Sequence, residues 1–160
     1  MNKRAISFIL VFALLFLSSC SHAPRYSHAE LAIDLPDSFY SMNTEDFDAA
    51  FTDGAVAVAV LRISFSVGML DGIPETLDNA EFGRLWLKRC QRAVPVQSKD
   101  GIDFCEYYEF VDGKEYYYMD AFYRSMNAYF VVLFAVLAED AEQYKAIMHS
   151  YAKKVYFLDN

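Results

Sequence analysis

The pattern of apolar and polar positions predicts several strands before the middle of the chain. Residues 31–36 favour a short strand that ends at a proline, because proline cannot donate a backbone hydrogen bond to a sheet. Residues 47–51 favour a second short strand, and Asp53 and Gly54 after it form a turn pair. Residues 55–65 are apolar on both alternating faces, which is typical of a central strand covered on each side.

An amphipathic helix is predicted next. Asp78 and Glu81 have the spacing of a capping box, in which each side chain bonds the backbone N–H of the other residue. Four apolar residues follow at helical intervals, namely Phe82, Leu85, Trp86 and Cys90. We expect this helix to run to about residue 91 and to turn the stripe, with Cys90, towards the sheet.

An antiparallel meander is predicted after this helix. Residues 94–97 favour a strand, and residues 102–111 and 114–123 favour a hairpin around a two-residue Asp-Gly turn. Residues 128–137 favour a further strand that is apolar on both faces. A middle strand of this kind needs cover above and below the sheet.

A second helix is predicted towards residue 150. Asp140 is its expected N-cap, with Gln143 at the third helical position. The residues of its buried face are Tyr144, Ile147, Met148 and Tyr151. Residues 155–158 favour a short closing strand. This order of elements predicts an α+β sandwich in which two helices and loops cover an antiparallel sheet.

The first twenty residues have the pattern of a bacterial lipoprotein signal peptide. Lys3 and Arg4 form a short basic region, and residues 6–17 form an uncharged apolar run that is too short to span a bilayer. The Leu-Ser-Ser-Cys sequence that ends at Cys20 resembles a lipobox. By that resemblance, Cys20 receives a lipid on its sulfur and becomes the first residue after cleavage. The alternative is an ordinary signal peptide with an incidental cysteine.

These segments divide the chain into three parts. Residues 1–19 are assigned to the signal peptide, residues 20–29 to a tether without periodicity, and residues 30–160 to one domain. We therefore expect a protein that is anchored by its lipid to a bacterial cell membrane and lies outside the cytoplasm.

Composition agrees with one globular domain that does not bind nucleic acid. The 160 residues are 55% apolar, enough for a core of ordinary size. The net charge is −8, and loss of Lys3 and Arg4 with the signal peptide changes it to −10. An acidic chain of this kind argues against a nucleic-acid partner.

Two cysteines remain once Cys20 is acylated. Outside the reducing cytosol, Cys90 and Cys105 are expected to form a disulfide. Such a bond would close a loop of about 15 residues and contribute roughly 3 kcal/mol. Two unpaired buried thiols are the alternative. A metal site is disfavoured because no histidine lies between residues 29 and 148.

A resemblance to a known fold rests on the order and spacing of several segments. These are Ile33-Asp34-Leu35-Pro36 followed by Phe39, residues 55–65, residues 78–91, Asp112-Gly113-Lys114-Glu115-Tyr116, residues 129–137 and residues 144–157. Together they resemble the PsbP/Mog-type fold, which includes the DcrB-like bacterial lipoproteins. The resemblance implies an antiparallel sheet of six or seven strands between helices. It also implies an accessory or binding subunit without a shared catalytic motif.

Catalytic motifs are missing from the sequence. There is no Gly-x-Ser-x-Gly, no His-Glu-x-x-His and no phosphate-binding glycine loop, and His149 is expected to be an exposed surface residue. We therefore expect a non-enzymatic accessory or protein-interaction module that needs no cofactor. The alternative is a small-molecule- or metal-binding lipoprotein associated with a transporter.

The predicted hairpin carries the candidate binding residues. Its acids are Asp103, Glu106, Glu109, Asp112, Glu115 and Asp120, and its tyrosines are Tyr107, Tyr108, Tyr116, Tyr117, Tyr118 and Tyr123. We expect the acids to form a solvated rim without a metal, and most tyrosines to fill the core. A minority of tyrosines could form an exposed patch, for which Tyr117 and Glu109 are the candidate surface residues.

Overall fold

The computed structural model describes residues 25–28, 30–43 and 45–158, so the predicted signal peptide and Cys20 lie outside the described residues. The strands are β1 (Arg25–His28), β2 (Leu31–Asp34), β3 (Tyr40–Met42), β4 (Ala49–Thr52), β5 (Ala57–Ser64), β6 (Gln97–Lys99), β7 (Ile102–Val111), β8 (Lys114–Arg124), β9 (Ala128–Leu137) and β10 (Val155–Phe157). The helices are α1 (Phe65–Leu70), α2 (Asn79–Arg89) and α3 (Ala141–Ala152).

The strands form two antiparallel sheets. The larger one has seven strands in the order β3-β4-β5-β9-β8-β7-β6, and the smaller one has three in the order β1-β2-β10. The two long apolar strands, β5 and β9, are neighbours at the centre of the larger sheet and pair along the whole of β5. The predicted antiparallel sheet is therefore confirmed.

Each face of the larger sheet has its own apolar core. On one face, α3 and the small sheet pack on the strands, with Met148 of α3 and Ile33 of β2 fully buried. On the other face, α2 buries Phe82 and Leu87 against side chains that include Phe122 of β8. Helices thus cover both faces, as the sandwich prediction requires.

The start of α2 is set by local chemistry that the sequence revealed. Asp78 Oδ1 accepts a hydrogen bond from the Glu81 N–H at 2.7 Å, and Glu81 Oε2 accepts one from the Asp78 N–H at 3.0 Å. This confirms the predicted capping box. The buried face of α2 is rotated from the predicted stripe, because Gly83 and Leu87 are buried whereas Trp86 is only half-buried.

Some predicted elements differ from the observed ones. The strand expected at residues 94–97 is β6 at Gln97–Lys99, because Val94 and Val96 pack as loop residues beside α2. Asp140 makes no side-chain cap bond, because it ends a short 3-10 helix (Ala138–Asp140) with near-helical backbone angles. Arg25–His28, assigned to the tether, pairs with β2 as β1. β2 is buried, and buried backbone groups need hydrogen-bond partners. β1 and β10 supply these partners on its two sides.

The close approach of α2 to the sheet depends on Gly83. A Cβ at this position would lie 2.5 Å from Phe122 Cδ2 and 2.7 Å from Phe122 Cε2. We expect Gly83→Ala to lower the free energy of unfolding by about 2 kcal/mol, measured by urea denaturation. The reason is that overpacking against the ring outweighs the roughly 1 kcal/mol that alanine gains in helix propensity.

Gly68 in α1 is the matched control. A Cβ there would lie 3.5 Å from its nearest neighbours, Ile63 Cγ2 and Ile73 Cβ, which is ordinary van der Waals contact. Gly68→Ala is therefore expected to keep or raise the free energy of unfolding. Similar losses in the two variants would show that the ring of Phe122 does not limit the position of α2.

Candidate functional site

The two candidate residues of the hairpin lie on opposite faces of the larger sheet. Glu109 of β7 contacts Arg92 on the α2 face, whereas Tyr117 of β8 belongs to the core beneath α3. Tyr117 is only 1% exposed, so the prediction of a surface role for it is wrong. Glu109 is exposed, and it does not share a site with Tyr117.

Tyr117 is part of a polar cluster beneath α3. Its hydroxyl donates to Glu106, and His149 Nε2 lies 3.6 Å from Glu106 Oε1. Lys145 Nζ lies 5.0 Å from the centre of the Tyr117 ring. Burial, and next the bond to Glu106, raises the pKa of Tyr117 above its ordinary value. The polar groups of the cluster interact with one another, which is typical of a structural role.

His149 is not the exposed residue that the sequence predicted. Its side chain is 18% exposed, and its ring packs edge-on against Phe104 with centres 4.6 Å apart. His149 is less exposed than predicted because it lies beside the apolar stripe of α3, where its ring still contacts Phe104 of the sheet. The sequence pattern separates buried from exposed helix faces, but it does not describe this boundary.

A buried carboxylate lies on the α2 face. Asp120 of β8 is 1% exposed, and the Tyr107 hydroxyl donates to its Oδ1 at 3.1 Å. Arg92 Nη1 lies 4.0 Å from Asp120 Oδ2. Burial raises the pKa of Asp120 to about 6, although Arg92 and the Tyr107 hydroxyl act in the opposite direction. A buried acid with a perturbed pKa is a marker of a functional site, although ion-pair networks also produce it.

Arg92 connects Asp120 to the surface. Its Nη2 donates to Glu109 Oε2 at 2.8 Å, and the guanidinium lies 4.4 Å from the centre of the Tyr107 ring. Tyr118 stacks on Tyr107, with ring centres 5.2 Å apart and an interplanar angle of 13°. One guanidinium thus serves two carboxylates and one aromatic face.

Sequence reasoning missed Arg92 as part of this cluster and treated Asp120 only as one of several rim acids. Asp120 stands in the otherwise apolar segment 119–122, and this isolated charge in a buried strand was an available signal. Arg92 lies in the loop after α2, where no periodicity marks a residue for the interior. Its role depends on how that loop crosses the sheet.

Cys90 and Cys105 are free thiols in the structure, so the predicted disulfide between them is not formed. Cys90 is the C-cap residue of α2, and Cys105 is fully buried in β7. Facing the same core is insufficient for a disulfide, which requires Cα atoms within about 7 Å and matching side-chain directions. Burial raises the pKa of Cys105 to about 12, so its thiol stays protonated and serves in packing.

A cleft of about 490 Å³ opens on the same face of the sheet, next to the loop that follows α2, and we call it the cleft beside α2. Its floor consists of Ala57 and Ala59 of β5, Leu133 of β9 and Tyr118 of β8. Its walls and rim include Met42, Asn43, Phe47, Val111, Arg92 and Glu109. The volume lies in the range of small-molecule sites, and the lining combines an apolar surface with a few polar groups. Glu109 therefore borders a concave surface, as a binding residue would.

Neither a metal cluster nor a membrane-spanning helix is found in the described part of the chain. No group of three or more His, Cys, Asp and Glu side chains there is arranged to hold a metal ion. None of the helices in the same part combines the length and the apolar character needed to cross a bilayer.

The seven-stranded antiparallel sheet with helices on both faces defines a PsbP-like α+β fold. The chain is similar to the solution structure of cyanobacterial PsbP (CyanoP) from Synechocystis sp. PCC 6803, with a TM-score of 0.51 and 10% identity over 88% of this chain and 96% of that one. It is also similar to a crystal structure from Bacteroides thetaiotaomicron VPI-5482, with a TM-score of 0.59 and 9% identity over 87% of this chain.

These similarities establish the fold and leave the function open. The chain spans 50% of the length of the Bacteroides protein. No protein-family profile matches the sequence, and no curated protein matches it either. Only about a tenth of the residues are identical, so what this chain shares with the two structures is the arrangement of sheet and helices.

Proposed function

We propose that the protein is a non-enzymatic bacterial lipoprotein that is anchored outside the cytoplasm and serves as an accessory module for a protein partner. The observation that carries this proposal is an apolar surface on α1 and on the turn between β8 and β9. Four of its side chains are more than half exposed: Val67 at 53%, Met69 at 63%, Leu70 at 88% and Met126 at 90%. We call these four residues the end patch. Several large apolar side chains exposed on neighbouring segments commonly mark an interaction site.

The members of the end patch come from two neighbouring segments. Ser64, directly before α1, pairs with Ala128, directly after the turn that contains Met126. The Phe65 N–H also donates to the Asn127 carbonyl at 2.9 Å. These contacts hold the first turn of α1 beside the β8–β9 turn. A partner that covers this end would remove both segments from water. Each Å² of apolar surface buried in this way stabilises the complex by roughly 25 cal/mol.

The lipobox at Cys20 supports the anchored location. Cys20 stands five residues before the first residue of β1, Arg25, and an extended chain spans at most about 3.6 Å per residue. A lipid on Cys20 would therefore hold the domain within roughly 20 Å of the membrane surface. A partner in or near the same membrane would then meet the domain at high effective concentration.

The state of the polar groups supports a non-enzymatic role. Arg92 is bonded to Glu109, Asp120 accepts from Tyr107, and Glu106 accepts from Tyr117. Each of these groups interacts with another side chain of the fold. Such pairing is typical of groups that hold a scaffold.

The partner test uses a photo-crosslinking residue at Met126 in the full chain in intact membranes. We expect one defined crosslinked product, at least about tenfold weaker when Leu70→Glu is added, because a buried unpaired charge opposes docking. Phe110→Glu is the matched control, since Phe110 is 71% exposed in β7 and lies outside the end patch. Equal losses in both variants, or no defined product, would contradict a docking role for the end patch.

The anchor is tested independently. We expect Cys20→Ala to abolish incorporation of labelled palmitate, since the lipid is attached to that thiol. A Cys20→Ala chain that still incorporates palmitate would contradict acylation at Cys20 but would leave the partner test unaffected.

A second candidate function, small-molecule binding, is favoured by one observation. The cleft beside α2 has a volume of about 490 Å³ and a largely apolar floor with polar groups at its rim. This geometry supports the small-molecule part of the alternative that the sequence left open.

A further inference from the structure

We propose that the cleft beside α2 binds an organic cation with an apolar body, of the alkylammonium class. In naming this ligand class we rely on the second candidate function. The cleft has an open apolar floor, an exposed carboxylate at the rim whose guanidinium partner is shared with a second, buried carboxylate, and an aromatic ring between floor and rim.

The apolar body of the ligand would lie on the floor of the cleft. Ala57 and Ala59 have short side chains, so the central strand β5 leaves space above it on this face. Leu133 and Phe47 extend the apolar surface at the sides. A chain of several methylene groups placed here would gain about 0.8 kcal/mol for each group that is buried.

The charges of the Arg92 cluster behind the rim favour a cation. Glu109 is 47% exposed in its side chain, and its partner Arg92 is also drawn towards Asp120, so two carboxylates share one guanidinium. The pKa of Asp120 is about 6, so this carboxyl is mostly ionised at neutral pH and the cluster then carries an excess negative charge.

An aromatic ring lies where the cationic group would sit. Tyr118 belongs to the floor, and Glu109 lies on the neighbouring strand, one diagonal step from it in the β7–β8 register. An ammonium group between them would contact the ring face and the carboxylate together. Cation–π contact adds roughly 0.5–2 kcal/mol, depending on how far the site is desolvated.

The test compares three probes of equal chain length but different charge. Hexyltrimethylammonium, hexanoate and hexanol are titrated by calorimetry into the full chain in phosphatidylcholine nanodiscs, with empty nanodiscs as the blank. We expect saturable binding of the cation, at least about tenfold tighter than binding of hexanoate, with hexanol intermediate.

Glu109→Gln removes the negative charge of this side chain and leaves the shape of the cleft nearly unchanged. This variant is expected to weaken the cation about tenfold and to strengthen hexanoate, because Arg92 loses its carboxylate partner. The matched control is Glu75→Gln, which makes the same charge change far from the cleft, where the Glu75 carbonyl accepts from Arg124. The control should bind all probes as the unaltered chain does.

Ala57→Leu separates the floor from the rim. The larger side chain fills the cleft and is expected to abolish binding of all three probes, with thermal unfolding used to verify that the variant is folded. Folded Ala57→Leu that still binds the cation would overturn the proposed location.

The remaining outcomes distinguish a wrong ligand class from a wrong assignment of small-molecule binding. Equal binding of the three probes, or preference for hexanoate, would overturn the cation assignment while small-molecule binding stands. Absence of binding for every probe would overturn both. Equal weakening of the cation by Glu109→Gln and Glu75→Gln would show that only the overall charge attracts it.

Discussion

Replacing Phe82 by alanine is expected to lower the free energy of unfolding by about 3–5 kcal/mol. Phe82 of α2 is fully buried and stacks on Tyr129 with ring centres 4.3 Å apart and an angle of 7°. It also meets Phe122 edge-on at 6.0 Å. Removal of the ring leaves a cavity between α2 and the sheet and takes away both aromatic contacts. Urea denaturation measures the loss.

Phe110→Ala is the control for the chemical change itself. Phe110 lies in β7 but is 71% exposed, so the same truncation removes little buried surface. We expect its free energy of unfolding to stay within about 0.5 kcal/mol of that of the unaltered chain. A loss below about 1 kcal/mol for Phe82→Ala would mean that α2 contributes little to the core.

Raising the pH from about 4 to about 7 is expected to lower the free energy of unfolding by up to ~3 kcal/mol through Asp120 alone. Its pKa in the fold is about 6, above the ordinary value of 3.8, chiefly because of burial. Well below the ordinary value, Asp120 is protonated in both states and imposes no penalty. Between these two values the folded state keeps a proton that the unfolded chain releases, so stability falls as pH rises, and it levels off above about 6.

The measurement compares urea unfolding of the unaltered chain and of Asp120→Asn across this pH range. The amide of Asp120→Asn cannot ionise but still accepts a hydrogen bond from Tyr107, so its stability should lack this component of the pH dependence. Asp112→Asn, at the exposed turn between β7 and β8, controls for the loss of one carboxylate. Parallel pH profiles for the unaltered chain and Asp120→Asn would contradict the raised pKa.

Elements specified by neighbouring residues were predictable from the sequence. The bounds of β7 and β9 agree with the predicted ranges, because alternation and turn residues act over a few positions. The capping box at Asp78 is local in the same sense. The strand β1 was not predicted, because residues 25–28 have no clear alternation and become a strand through pairing with β2.

The site was predictable only in part. The turn between β7 and β8 pairs Glu109 with Tyr116, so Tyr117 must face the other side of the sheet, and strand alternation contained that information. Glu109 was identified, and it does border the cleft. The role of Arg92 depends on a loop whose course is decided by packing against distant strands. The cleft is lined by residues from several separate segments, so its existence depends on tertiary packing that a sequence pattern does not describe.

The pairing of β5 with β9 joins parts of the chain that are far apart in sequence, whereas β7, β8 and β9 are consecutive. Closing a long loop costs more entropy than closing a short one, so we expect the consecutive strands to assemble first and β5 to join later. Ala57 and Ala59 arrive with β5, while Tyr118 and Val111 belong to the early part. An occupied cleft would therefore report that β5 has docked, and a ligand there would slow the departure of β5.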